Sequence, residues 1–374
     1  MVFCWCRMEF MMNNPIVAFL VPLVIGVFVT MILEGATGKA LGLMTRQAFL
    51  RRARKRLARY GSRDDLVMHG DEEMYVIEFV PGGYAASNLR IVWGGDAPLR
   101  TRLSEADPGR LPAAVDDIVA EADRLRTVFE DDSSDSWNGP SIGVLSVRTS
   151  REGLQEMPVL TVRTCHSDHA ATTATWTMWK RAYDAGFRIN HLEDIVPGMI
   201  NAIGLNATVV AGDRKLILTR RSARADSGRT GWHISVNEGF LPTDCTPAGA
   251  PDPAVGVLRG IYEELGVSGI PSHAVVFHTA MLDVRRYQFG LLGHVDLQGT
   301  GIEAATVVAY RQTGLSKDRF ENDRIELVDW TLDAVIPYLK QKDWVAHGWL
   351  NLFHSVVSTF DISPEKLHEI LAEK

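Results

Sequence analysis

Cysteine is scarce in this chain: four occur in 374 residues (Cys4, Cys6, Cys165 and Cys245), scattered and without paired CxxC motifs. That excludes a disulfide scaffold and a structural zinc ribbon, and it fits a reducing compartment. No class of residue is in the excess that marks disorder, collagen or coiled coil, since apolar residues make up 46%, aromatics 8% and charged residues 23%. The length excludes one small domain and leaves room for two full cores or one elaborated domain.

Charge is missing altogether from Pro15 to Leu33, a run of nineteen residues. A helix needs about 20 apolar residues to cross a hydrocarbon core of about 30 Å, so the run reads as a transmembrane helix. Pro22 and Gly26 interrupt it, and bilayer helices tolerate both. A cleaved signal peptide is the rival reading, because Ala36, Thr37 and Gly38 supply small residues after the run.

The net charge of -7 hides an asymmetry. Residues 1–63 hold ten Lys/Arg against two Asp/Glu, and the remainder holds 29 against 44. Arg46, Arg51, Arg52, Arg54, Lys55, Arg56, Arg59 and Arg63 crowd the flank after the apolar run. By the positive-inside rule that flank stays cytoplasmic, which predicts a single-pass cell-membrane protein with its body in the cytosol. Phe49, Ala53, Leu57 and Tyr60 recur at helical spacing, so residues 15–63 offer a contact to membrane lipid. A solvated basic linker is the alternative. Nucleic acid is not the expected partner, because the body is acidic.

The organisation expected is an anchor (1–34), a basic juxtamembrane segment (35–63), an α+β domain of unknown role (64–195) and a second domain (196–374). In the middle region MYVIEFV (74–80), NLRIVW (88–93) and PVLTVRT (158–164) have strand composition. The first two are separated by the Gly82-Gly83 turn signal. Residues 113–129 and 173–186 have helical patterning. Cys165, His166, Asp168 and His169 invite a metal reading, but ligands so close in sequence point different ways, and a polar loop after a strand is the better account.

The stretch that carries chemistry runs from Gly204 to Trp330. Residues 206–212 and 215–222 read as strands about a Gly212-Asp213 turn, and WHISVNEGF (232–240) reads as a third. A helix then starts at Asp252-Pro253 and ends at Gly266. On it Leu258, Ile261 and Leu265 face the core, and Glu263 and Glu264 lean off the other side beside Arg259. Adjacent carboxylates call for a cation, and Mg²⁺ or Mn²⁺ is the hard ion that oxygen ligands favour; a solvated Glu-Glu pair is the alternative.

Residues Arg259-Gly260-Ile261-Tyr262-Glu263-Glu264-Leu265-Gly266-Val267 resemble the second half of the Nudix box, G-x5-E-x7-R-E-U-x-E-E-x-G-U, with U a bulky aliphatic residue. The likeness spans about residues 200–340, closing with ENDRIELVDWTLDAVIPYL (321–339). It implies an α/β/α sandwich that hydrolyses a nucleoside diphosphate-linked compound with Mg²⁺ or Mn²⁺. By that match Glu263 and Glu264 are metal ligands, Arg259 orients the acidic residues, and Gly239 lends a carbonyl to the metal. Arg220, Arg221 and Trp232 are the candidate substrate contacts, the substrate being a nucleotide-derived small molecule.

The chain departs from the pattern at two places. Gly260 stands where the family has Glu, and Pro251 stands eight residues before Arg259 where it has another; Asn237-Glu238-Gly239 also replaces Gly-Gly. Glu238 is a candidate replacement carboxylate, as are Glu321, Asp323 and Glu326, of which Glu326 is taken as the metal ligand. The alternative is a catalytically impaired Nudix-like module that binds nucleotide as a sensor. Isopentenyl diphosphate isomerases share the fold, but their catalytic cysteine has no counterpart here, Cys245 lying in a loop.

Overall fold

Every position of one strand, Ile203–Val210, is buried. Such a run belongs to a strand covered on both faces, and in the computed structural model it lies inside a nine-stranded sheet. The structure describes residues 66–70, 72–131, 138–223, 230–314, 316 and 322–373. The apolar run and the basic flank, residues 15–63, lie outside these. Among the described residues no helix is long and apolar enough to cross a membrane.

In chain order the strands are β1 (Leu66–His69), β2 (Glu72–Phe79), β3 (Leu89–Trp93), β4 (Pro140–Glu152), β5 (Met157–Asp168), β6 (Ile203–Val210), β7 (Lys215–Arg221), β8 (Trp232–His233), β9 (Val236–Gly239), β10 (Val275–Asp283), β11 (Gln288–Asp296) and β12 (Asn322–Asp329). The helices are α1 (Leu99–Ser104), α2 (Val115–Phe129), α3 (His169–Asp184), α4 (Pro253–Gly260), α5 (Ala304–Gln312), α6 (Leu332–Leu339), α7 (Ala346–Phe360) and α8 (Pro364–Ala372). The large sheet runs β1-β2-β10-β11-β6-β7-β12, with β8 on β7 and β9 on β6; a small one runs β3-β5-β4. β11 and β6 are parallel, from Phe289↔Ile203 to Asp296↔Val210.

Helices cover both faces of the large sheet. On one, Ile203, Leu205, Ala207 and Val209 join a core with Val257, Ile261 and Leu265. The small sheet and the helices α2 and α3 extend that same core. On the other face Val210, Leu216 and Leu218 pack with Val335, Trp349, Phe353 and Leu367.

The division expected after residue 195 is crossed by hydrogen bonds. β2 pairs with β10, Tyr75 opposite Leu282, Trp179 Nε1 donates to the Val284 carbonyl at 2.5 Å, and Leu66–Lys374 forms one compact unit. The Gly82-Gly83 turn, with φ of 80° and 88°, does not make a hairpin. It carries the chain from the large sheet to the small one. The expected polar loop at 165–169 is also corrected. β5 continues through Asp168, whose side chain accepts the Ala171 N–H at 2.7 Å and pairs with Arg126 at 2.7 Å. Cys165 is buried while His166 packs against Trp93, so the side chains diverge and gather no ion.

WHISVNEGF is two strands, not one. β6 and β7 pair only at Val209↔Ile217 and Val210↔Leu216, and beyond that they splay. Ser235 sits in the opening, its hydroxyl accepting Val209 N–H at 2.8 Å, and the chain switches partner there.

Helix α7 carries unusual cargo for a buried helix. His354 Nδ1 and His278 Nδ1 each lie 2.8 Å from Thr279 Oγ1. His278 Nε2 lies 3.1 Å from Ser355 Oγ, and His233 and His347 meet at 3.0 Å between their Nε2 atoms. All four rings are buried.

Candidate functional site

The segment that resembles the box starts as expected. Asp252 caps α4 by accepting the Ala254 N–H at 2.9 Å, and Pro253 takes the first helical position. After Gly260 the helix widens into a π-helical turn, Ile261–Leu265, ended by Gly266 at φ 74°. Such turns are rare.

Glu263 and Glu264 part company here instead of sharing a face. Glu263 Oε2 accepts from Arg259 at 2.9 Å. Glu264, 4% exposed, accepts the Asn237 N–H at 2.8 Å through Oε1 and Asn322 Nδ2 at 3.0 Å through Oε2. Both of its oxygens are engaged in tying the helix to β9 and β12. Glu264→Gln is therefore expected to cost about 1–3 kcal/mol, because it removes the charge that strengthens both hydrogen bonds tying the turn to β9 and β12. Thermal unfolding measures this; an unchanged melting temperature would refute it.

Arg259 is the centre of the acidic residues. Its Nε donates to Asp244 Oδ1 at 3.0 Å, Nη1 to Glu238 Oε2 at 2.8 Å and to Glu263 Oε2 at 2.9 Å, and Nη2 to the Gly239 carbonyl at 2.7 Å and Asp244 Oδ2 at 3.1 Å. A guanidinium has five N–H donors, so all are in use. Burial opposes its charge, but the hydrogen bonds to Asp244 and the charges of Glu238 and Asp244 outweigh that and push its pKa above the ordinary value. Three carboxylates thus surround one guanidinium.

Two glycines make this packing possible. A Cβ on Gly260 would stand 2.3 Å from Glu238 Cγ and 2.7 Å from Val236 Cγ1. Glu238 thus lies against the position from which the family's own glutamate would grow. A Cβ on Gly256, one turn earlier, would stand 2.9 Å from Asp244 Oδ2.

The other expected residues lie elsewhere. Glu326 pairs with Arg324 at 2.5 Å and accepts from Tyr338 Oη at 3.4 Å, on the face that α6 covers, so it does not join Glu263. Strand alternation and the register shift between Asn322 and Arg324 turn Asn322, not Glu326, to the box. Asp323 is exposed, and Glu321 lies outside the described residues. Trp232 is a core residue, 6% exposed, edge-on to Tyr338. Arg220 lies over its ring and pairs with Asp343 at 2.8 Å. Arg221 is buried across from Asn322. Arg220 and Trp232 are thus engaged with Asp343 and Tyr338 and not with Arg259. Asp244 was the residue that pattern matching passed over, since it lies outside the box spacing.

Among the described residues no three His, Cys, Asp or Glu side chains form a group that could hold a metal ion. Gly239 and Glu264, expected as ligands, are taken by Arg259 and by the two asparagines. What remains is a pair of part-exposed carboxylates, Glu238 and Glu263, with side-chain exposures of 16% and 23%. Mg²⁺ is commonly held by one or two carboxylates together with substrate phosphates. The hard oxygen donors and the negative charge fit that arrangement, and they do not make a cage built by protein alone.

No family model matches the chain, and no curated protein matches it. Among solved structures it is similar to the MutT protein from Methanosarcina mazei Go1, at a TM-score of 0.26 and 14% identity over 46% of this chain and 96% of that one. It is also similar to the MutT NUDIX hydrolase from Burkholderia pseudomallei, at a TM-score of 0.25 and 17% identity over 40% and 95%. A third, DR0079 from Deinococcus radiodurans, has a TM-score of 0.24 and 13% identity over 37% and 72%.

Proposed function

We propose that the chain is a metal-dependent hydrolase of a nucleoside diphosphate-linked compound, held on the cytosolic face of a membrane by residues 15–63. The observation that carries the reading is Arg259 joining Glu238 to Glu263, with Glu238 packed where Gly260 leaves room. Glu238 and Glu263 would hold Mg²⁺ or Mn²⁺ jointly with the substrate's diphosphate. The ion would supply charge neutralisation and a polarised phosphorus. Arg259 sets the spacing of the two carboxylates, and the buried Glu264 fixes the helix against β9 and β12. A single-pass anchor is supported by the nineteen uncharged residues and the cations that follow them.

The test uses the full chain in detergent with Mg²⁺ or Mn²⁺ and a panel of nucleoside diphosphate-linked compounds. Metal-requiring product release is expected, falling at least about 100-fold in Glu263→Gln, in line with loss of a group that stabilises transition-state charge. A second reading, a sensor that binds nucleotide without turnover, is favoured by the full occupation of Arg259. Thermal stabilisation by a nucleotide with no product would select it. Extraction of the protein from membranes by alkaline carbonate would remove the anchor from the proposal.

A further inference from the structure

The small sheet ends at β4, and the two halves of that strand differ. In the inner half the outer edge is covered, the Val144 N–H donating to the Ile200 carbonyl at 2.9 Å. From Arg148 to Glu152 every residue is exposed, and among the described residues no strand pairs with this edge. Which groups point outward follows from the register. The Leu160 N–H donates to the Asn88 carbonyl at 2.8 Å, on the β3 side, so its β4 partner Thr149 is not bonded by β5. In an antiparallel pair such residues alternate with bonded ones. Val147, Thr149 and Arg151 therefore turn their N–H and C=O groups to the open edge, while Arg148, Ser150 and Glu152 turn theirs to β5. Edge strands are commonly blunted by proline or a bulge. The bulge of β4 lies upstream, between Val144 and Ser146, and the outer half has no proline.

We propose that this edge pairs with the same edge of a second copy of the chain, antiparallel about a two-fold axis at Ser150. A two-fold axis joins a surface to itself, and outward groups meet outward groups only when the axis passes through a residue. Centring on Arg148, Arg151 or Glu152 sets a charge opposite its own copy, which is destabilising. Centring on Thr149 leaves Arg148 opposite the partner's Ser150. Centring on Ser150 sets Arg148 opposite the partner's Glu152, twice over, and lets Thr149 and the partner's Arg151 exchange backbone bonds. Arg148 forms no ion pair among the described residues. Glu152 already accepts two hydrogen bonds from Arg90, at 2.8 and 2.7 Å, and a carboxylate has about four acceptor sites, so it can take the partner's Arg148 as well. Charges that only repel other strands need one sign. This edge carries both, in an order that matches itself. The inference does not depend on the hydrolase reading.

The experiment uses the full chain in detergent with Cys4→Ser and Cys6→Ser, which leaves the buried Cys165 and the half-buried Cys245. Thr149→Cys, Ser150→Cys and Arg151→Cys are oxidised separately and run on non-reducing gels. Ser150 would face its own copy as a non-bonded pair, with Cα atoms about 4.5 Å apart, inside the range a disulfide spans. Thr149 and Arg151 would lie diagonally from their copies at about 7–8 Å, beyond it. Ser150→Cys is therefore expected to link copies at least about tenfold faster than the other two. Sedimentation should give the parent the mass of a dimer. Thr149→Pro removes an N–H that β5 does not use, and should abolish the dimer while leaving the melting temperature of the monomer unchanged. Arg148→Glu sets a like charge opposite Glu152 at two places and should weaken association about tenfold. A monomeric parent, equal linking at all three positions, or a dimer that survives Thr149→Pro overturns the inference. If Thr149→Pro does not fold, Arg148→Glu decides, and unchanged association overturns it.

Discussion

Acidification from pH 7.5 to 5.5 removes on the order of 5 kcal/mol of folding stability from this protein, through four buried histidines. Burial holds His233 and His354 down to about 3, and His278 and His347 well below the ordinary 6.5, with neighbouring histidine rings adding to the effect. The sign follows from which state holds the proton. The unfolded chain protonates these rings as the pH falls through 6.5, and the folded chain does not. Stability is therefore whole above 6.5 and is lost below it, down toward the folded values. One unit below 6.5, each ring costs about 1.4 kcal/mol. Asp283 works the other way, since burial pushes its carboxyl up, but it is one group against four. Domains of ordinary stability have about 5–15 kcal/mol to lose, so the midpoint of urea unfolding should fall steeply between these pH values. A slope corresponding to fewer than about two protons taken up on unfolding would mean that the rings are reached by water.

Placing at position 260 the glutamate that the Nudix box pattern has there should harm the protein. Its Cβ would meet Glu238 Cγ at 2.3 Å and Val236 Cγ1 at 2.7 Å, and Val236 is fully buried on β9, where it cannot give way cheaply. Overpacking of this kind costs about 1–3 kcal/mol, and displacing Glu238 from Arg259 forfeits a charge-assisted hydrogen bond worth about 1.5–3 more. Gly260→Glu should therefore melt well below the parent. Adding Glu238→Ala should recover part of the loss, because it removes the Cγ that the new Cβ would meet at 2.3 Å. A Gly260→Glu chain as stable as the parent would mean that Glu238 does not hold that space.

Much of the local architecture was legible. The Asp252-Pro253 start and the Gly266 stop each have a backbone reason that needs no distant partner, and the Gly212-Asp213 turn forms where expected, although its left-handed residue is Arg214 and Gly212 N–H donates to the distant Ile302 carbonyl. β4 was not, because its outer half, Val147–Glu152, is polar and largely exposed and leaves no apolar alternation to read. The pairing of β2 with β10 was hidden for another reason: strand composition does not name a partner. At the site, the arginine and Glu263 could be read from spacing. The part taken by Asp244 could not, since it depends on a loop bridging Cys245 to Pro251. One trace of it was present, Gly256 and Gly260 set one helical turn apart around Arg259, which marks a helix face that something must approach closely.

The partnership of Tyr75 with Leu282 also governs how the chain is made. A ribosome adding about 5–20 residues per second needs roughly 10–40 s to travel the two hundred or so residues between them. For that interval the β2 segment lacks its β10 partner, and an unpaired strand edge is the kind of surface that recruits strands from other chains. Long-range closure of this sort slows folding, so newly made protein should depend on chaperones until β10 emerges, and crowding of nascent chains should raise its aggregation sharply.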